Sequence, residues 1–338
     1  MEKNARASRI TIRTVAADAG VSVAAVSKVL RNAYGVSDAL RENVTRSIEK
    51  LGYRPSTAAR GMRGRTFSVG VLLIDMENPF LPKLVGGFKR KMAEAGYNTL
   101  IGVGEARTHV ESALIESMID MRIDGLLLVA PRIAGKGLDQ FARQTPVTVV
   151  GHHEPDAINF DTANVDDREG GRLATVALLK KGYRDIAMIS PTTVHRRPGD
   201  VWHEREAGYR AALSQAGLSH VARLIDISER PDEMVKQINA MLDRSDVPEA
   251  IFCWSDIHGV PLINMARKRG LSVPGDLALI SFDNSPPAAL PLIELASIDQ
   301  APAHLGSIAA SQLLSRIEGR TESSHQMVAP VFADRASY

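Results

Sequence analysis

The chain has 338 residues, 44% hydrophobic and 24% charged, which suits two or three packed domains and excludes a disordered chain. Its single cysteine, Cys253, excludes an internal disulfide framework, and no apolar run approaches the roughly 18 residues that span a bilayer, so no membrane partner is expected. The formal charge of +2 is uneven: residues 1–65 hold 13 Lys and Arg against 5 Asp and Glu, the remainder 28 against 34, so a basic head on a mildly acidic body points to a polyanion held by the head.

Residues 1–10 carry Lys3, Arg6 and Arg9, but no apolar stretch follows them. A secretory signal is therefore not expected, and a cytoplasmic location is. Thr11 is placed to cap a helix over 12–19, with Ile12, Val15, Ala16 and Ala19 on one face and Gly20 at the left-handed turn that ends it. Val21 forms an apolar plug. Ser22 caps a second helix over 23–30 that is expected to bury Val26, Val29 and Leu30. A third amphipathic helix starts near Ser37–Asp38, aligns Leu40, Val44, Ile48 and Leu51, and stops at Gly52. Helix, three-residue turn, helix is the unit whose second helix enters the DNA major groove. On that geometry Val23 and Ala24 make apolar contacts to base edges, and Lys28 reaches guanine or phosphate. Thr11, Ser22, Ser27, Arg31 and Tyr34 are candidates for phosphate contacts, which fix register rather than sequence.

Residues 55–65 join head to body. Segment 56–63 has helical potential from a capping Ser56, but two turns are too short to be stable alone in water. Gly61 costs about a further 1 kcal/mol relative to alanine. The segment is therefore expected to order only on DNA, where its arginines meet phosphates.

From Thr66 onward short apolar runs alternate with amphipathic segments. Strands are expected at 68–75, 98–103, 125–130, 147–151, 186–190, 223–227, 250–254 and 277–282, with helices at 81–95, 110–121, 168–181, 204–216, 231–242 and 259–269. Such alternation gives parallel sheets covered by helices on both faces, here in two similar lobes. Ligands in these sheets sit at the C-terminal ends of the strands. Asp75, Asn78 and Phe80 follow the first strand; Trp202 and Arg205 open a helix; Trp254, Ser255 and Asp283 follow later strands. Only 16 residues are aromatic, so Phe80, Trp202 and Trp254 falling in this set suits a sugar, which needs apolar faces for its C–H surface and planar polar groups for its hydroxyls.

The stretch from Thr11 to Leu30 resembles the headpiece of the lactose-repressor (LacI/GalR) family of bacterial transcription regulators. Val36-Ser37 to Arg41, Leu51-Gly52-Tyr53-Arg54-Pro55, Asn78-Pro79-Phe80 and Gly270 to Asp283 extend the likeness over nearly the whole chain. The resemblance implies a small all-α helix-turn-helix headpiece (1–54), a hinge (55–65) and an α/β two-lobed core like the periplasmic binding proteins (66–338). It implies chain crossings near Gly182, Ser297 and Ser323. The N-lobe would then hold about 66–181 and 298–323, the C-lobe about 182–297 and 324–338. Two hinge helices would pair in the minor groove, with Ala59 and Arg60 at the DNA and Met62 as the inserted wedge where the family more often has leucine. Effector contacts are implied at Arg205, Ser255 and Asp283, with Glu169 near the same cleft. Ser255 stands where the family usually has asparagine, and Gly259 and Pro261 break the small-residue helix pattern that follows it.

Catalytic signatures are missing. There is no Walker loop or Gly-x-Ser-x-Gly elbow, and Gly102-Val103-Gly104 lacks the third glycine of a dinucleotide fingerprint. His152-His153-Glu154 has no spaced partners for a metal, and Cys253 sits in an apolar strand. The expectation is a non-enzymatic repressor of carbohydrate-related genes without a cofactor. It would bind double-stranded, pseudo-palindromic operator DNA as a homodimer under control of a sugar or sugar derivative. The alternative is a solute-binding receptor without a DNA function.

Overall fold

The computed structural model describes residues 10–30, 33–54, 64–192 and 199–338. Arg31, Ala59, Arg60, Met62 and hinge residues 55–63 lie outside the described residues. The chain divides into two compact units, Met1–Thr66 and Phe67–Tyr338.

The described residues of the first unit form three helices: α1 Ile12–Asp18, α2 Val23–Leu30 and α3 Asp38–Leu51. Thr11 is extended, and its N–H donates to the Thr14 hydroxyl at 3.2 Å. Ser22 Oγ accepts the Ala25 N–H at 3.1 Å, and Ser37 Oγ accepts that of Leu40 at 3.3 Å. Gly20 and Gly52 both take positive φ (65° and 62°), so each helix ends in a turn that an L-residue enters only with strain. Val15, Ala16, Ala19, Val26, Val29 and Val44 form a small core. Asn43 Nδ2 donates to Ala19 O at 2.8 Å, and Lys50 pairs with Asp18 at 2.7 Å, tying α3 to the end of α1. Leu30 departs from the expected burial: it is 36% exposed, at the solvent end of α2.

The second unit holds two six-stranded sheets. One takes β1 Ser68–Leu73, β2 Asn98–Val103, β3 Gly125–Val129, β4 Val147–Val150, β5 Asp161–Val165 and β11 His325–Val328, in the order β11-β5-β4-β3-β1-β2, all parallel. The other takes β6 Ile186–Pro191, β7 Arg223–Ile227, β8 Ala250–Cys253, β9 Ala278–Asp283, β10 Ala296–Asp299 and β12 Val331–Ala333, in the order β12-β10-β9-β8-β6-β7, with only β12 antiparallel. Their central strands are buried on both faces and read as unbroken apolar runs (GLLLV in β3, AIFC in β8).

The helices of this unit are α4 Phe80–Glu94, α5 Thr108–Asp120, α6 Lys136–Ala142, α7 Asp167–Lys180, α8 Val201–Gln215, α9 Pro231–Leu242, α10 Asp256–Lys268 and α11 Pro302–Ile317. Two pairs pack closely through glycine. On α4 and α11, a Cβ at Gly87 would meet Ala303 O at 2.0 Å and one at Gly306 would meet Leu84 O at 2.0 Å. On α7 and α8, the same test at Gly171 and Gly208 meets Arg205 O at 2.2 Å and Arg168 O at 2.0 Å.

Helix α7 packs on α8 and on β9, β10 and β12, so it belongs to the C-lobe, while α11 packs on α4 and on β3, β4 and β5 of the N-lobe. The chain therefore crosses between lobes at 166–167, 300–301 and 329–330: the second falls within four residues of Ser297, while the first and third are displaced from Gly182 and Ser323. The physical reason lies in β5. Its sequence, DTANV, is too polar to read as a buried strand, yet Asp161 is fully buried because Arg316 Nε donates to it at 2.8 Å and Arg320 pairs with it as well.

Candidate functional site

On the first unit, Thr11, Ser22, Ala24, Lys28 and Tyr34 are exposed, while Val23 and Ser27 are half-buried. Val23 packs against the three-helix core, so its side chain is shared between the fold and the surface of α2. Ala24 and Lys28 lie one helical turn apart and both face solvent.

The second unit has a cleft between its two sheets, about 960 Å³ with its solvent mouth included. Asp75, Asn78, Phe80, Trp202, Arg205, Trp254 and Asp283 line it. Two expected members do not. Ser255 is fully buried behind Asp283, to which its hydroxyl donates at 2.6 Å, and it caps α10 by accepting the Ile257 N–H. Glu169 points off the cleft on α7, where both its oxygens take Arg172 at 2.6 Å.

The N-lobe wall is built by turns. Asp75 Oδ1 accepts the N–H groups of Glu77 and Asn78, and Asn78 Oδ1 accepts that of Phe80 at 2.9 Å. These bonds open α4 and leave Phe80 half in the core and half on the cleft. The loop after β3 is held from behind by Glu111, fully buried, whose carboxylate accepts the N–H groups of Arg132 and Ile133. Gly104 makes room for it: a Cβ there would lie 2.5 Å from Glu111 Cγ. Arg132 then meets Glu229 of the C-lobe at 3.8 Å across the mouth.

The C-lobe wall centres on Arg205, 3% exposed. Its Nε donates to Asp167 Oδ1 at 2.8 Å and its Nη1 to Trp254 O at 2.5 Å. Its guanidinium lies 3.6 Å over the Phe282 ring, and Asp283 Oδ1 is 3.9 Å from Nη1. Asp283 also accepts from Gln300 Nε2, which sits on a lobe crossing. Burial pushes the Asp283 carboxyl up to about 7; the Arg205 charge opposes that shift and nearby Asp256 adds to it. Asp283 has φ 105°, strained for a non-glycine residue and held by the bonds around it. Trp254 Nε1 donates to His258 Nδ1 at 2.9 Å, and His258 Nε2 faces Ser228 O at 3.1 Å. Burial lowers His258 to about 4, so its neutral ring bolts the Trp254 wall to the loop that carries Glu229.

Sequence reasoning missed Asp167, Glu229 and Gln300. Asp167 was legible only as the second residue of an Asp-Asp pair at a helix start; Gln300 carried no signal without the crossing.

The comparisons with known proteins decide the family. Residues 11–56 match the pattern of "bacterial regulatory proteins, lacI family", and residues 175–338 match a periplasmic binding protein-like domain. The chain is 30% identical over 334 residues to the HTH-type transcriptional repressor PurR of Erwinia tasmaniensis, covering 97% of this chain and 96% of that one. The chain belongs to the LacI family. It is also 30% identical over 322 residues to the ribose operon repressor of Haemophilus influenzae, covering 94% and 95% of the two chains. A solved complex of the transcriptional regulator CelR with cellobiose matches at a TM-score of 0.70 and 28% identity, over 98% of this chain and 100% of that one. LacI-family membership makes the three-helix unit a DNA-binding headpiece and the two-lobed unit an effector core: the chain is a transcriptional regulator, not a free solute receptor. Among the described residues no helix is long and apolar enough to cross a membrane.

Proposed function

We propose that this LacI-family chain represses transcription as a homodimer on a pseudo-palindromic operator, and that a sugar or sugar derivative in the interlobe cleft sets its affinity for DNA. The observation that carries the effector reading is the cleft lining. Three aromatic side chains, Phe80, Trp202 and Trp254, surround Arg205 and Asp283, whose polar atoms suit paired hydroxyls. The arginine charge is already balanced by Asp167, so the cleft favours an uncharged hydroxylated ligand over a carboxylate or phosphate. The relatives named above, a ribose operon repressor and a cellobiose-bound regulator, support the same class. Ala24 and Lys28 of α2 are proposed to face the bases, with Thr11, Ser22 and Tyr34 at phosphates.

The test is a thermal-shift screen of sugars, polyols, sugar acids and nucleobases, followed by gel retardation on a duplex selected from genomic fragments. A neutral sugar should raise the melting temperature by mass action and change operator affinity. Stabilisation by nucleobases alone, or by anions alone, overturns the ligand class.

A further inference from the structure

The Asp167 carboxylate is shared between two lobes. It is 1% exposed; Oδ1 takes Arg205 Nε at 2.8 Å, and Oδ2 lies 2.7 Å from Nε2 of His153, in the N-lobe loop after β4. His153 does not line the cleft. Its main-chain N–H donates to Gly199 O of the C-lobe at 2.7 Å, and a Cβ at Gly199 would lie 2.1 Å from His153 O, so the two backbones pass as closely as glycine allows. Gly171 likewise lets α7 approach α8 until Asp167 reaches Arg205. Both close approaches fix the same three side chains.

We infer that His153 is a positioning residue for the effector site: from the opposite lobe it holds Asp167, through Asp167 it aims Arg205, and so it ties the cleft contact to the arrangement of the lobes. The inference rests on the reading of the cleft as the effector site, but its test needs no effector. A ligand that draws on Arg205 reorients a carboxylate whose other oxygen is held by the N-lobe. That gives the two lobes differential contacts in the two states, as any coupling requires.

The clamp carries a proton. His153 faces Asp167 on α7 and Glu204 and Arg205 on α8; His152 and Glu154 stand on its own loop, Arg168 pairs with Glu204, and His325 of β11 lines the same outer hollow. Burial disfavours the imidazolium. The hydrogen bond and charge of Asp167, with Glu204, outweigh that and hold the ring above the ordinary 6.5. The ionic clamp is therefore fully made below about pH 6.5 and is lost as pH rises through the raised value, leaving a weaker neutral hydrogen bond.

Trp202 and Trp254 are the only tryptophans and both line the cleft, so their emission reports Arg205's surroundings. Acrylamide quenching is measured on the full chain from about pH 5.5 to about pH 9, a range set by histidine titration. In the unsubstituted protein, quenching should rise with pH, with a midpoint above 6.5. Because Asp283 titrates near 7 in the same cleft, the series is also run in an Asp283→Asn background. There His153→Gln keeps only a neutral donor: its quenching should stay at the high-pH level of the His153 protein across the range, without a pH step. His153→Ala should quench at least as strongly throughout, with unchanged far-ultraviolet dichroism. In that background, curves in His153→Ala like those of the His153 protein, or a pH step that survives in His153→Gln, overturn the clamp. Failure of the sugar screen would leave these curves unchanged, so the two readings fail separately.

Discussion

Asp167→Asn removes the anion that balances Arg205, a guanidinium 3% exposed and sandwiched between Phe282 and the Trp254 carbonyl. Breaking a buried ion pair from one side costs ~3–5 kcal/mol, a large share of the ~5–15 kcal/mol that keeps a domain folded. Here part of the loss is recoverable. Asp283 lies 3.9 Å from Arg205 and keeps its proton until about pH 7 in the unsubstituted protein. Without Asp167 the unbalanced guanidinium favours Asp283's ionised form, so that carboxylate takes over the pairing. The expected loss is therefore ~3 kcal/mol near pH 6 and smaller near pH 8. Urea unfolding followed by tryptophan emission reads it directly, because both tryptophans stand in the C-lobe with the pair. A loss below ~1 kcal/mol at both pH values, or a larger loss at the higher one, would refute the account of Arg205 as a buried and balanced charge.

The Asp283 carboxyl, raised by burial from 3.8 to about 7, stays protonated in the folded chain where the unfolded chain has released its proton. C-lobe stability should therefore fall between about pH 4 and about pH 7, and Asp283→Asn should abolish that slope in urea titrations; an unchanged slope contradicts it. Gly208→Ala drives a methyl group onto the Arg168 carbonyl and should cost ~1–3 kcal/mol or more as α7 and α8 part. An unaltered melting temperature would mean that the helix pair is not closed by glycine contact. On the headpiece, Ala24→Gln places a bidentate donor–acceptor on the exposed side of α2 and should move the base preferred at one symmetric operator position by ~1–3 kcal/mol, read by selection from randomised duplexes. Weaker binding to every sequence, with no altered preference, counts against base readout there.

Elements whose local signals agree with their burial were legible from sequence. The headpiece helices fall within a residue of their expected bounds because caps, apolar spacing and the Gly20 and Gly52 stops all agree. The central strands announce themselves as apolar runs. What escaped was held by long-range pairing: β5 is polar because Asp161 meets Arg316 of α11 and Arg320 just beyond it, and α11 itself went unread. The first lobe crossing follows β5 and was misplaced with it. In the cleft, residues that end strands or open helices were found, as the fold rule promises. Ser255 came from the strand-end reading and the resemblance together, Glu169 from the resemblance alone, and the structure turns both away, one to cap α10 behind Asp283 and one to pair along α7. Asp167 and His153 could not be joined by any spacing argument, since only the approach of two lobes brings them together.

The central claim is that a molecule in the cleft governs the headpiece's hold on DNA, and gel retardation with the full chain tests it most directly. A duplex with two mirrored half-sites should be retained at low salt, released steeply as salt rises, and shifted in affinity by the same compound that raises the melting temperature. If no duplex is selected, or if the stabilising compound leaves DNA affinity unchanged, the account is contradicted.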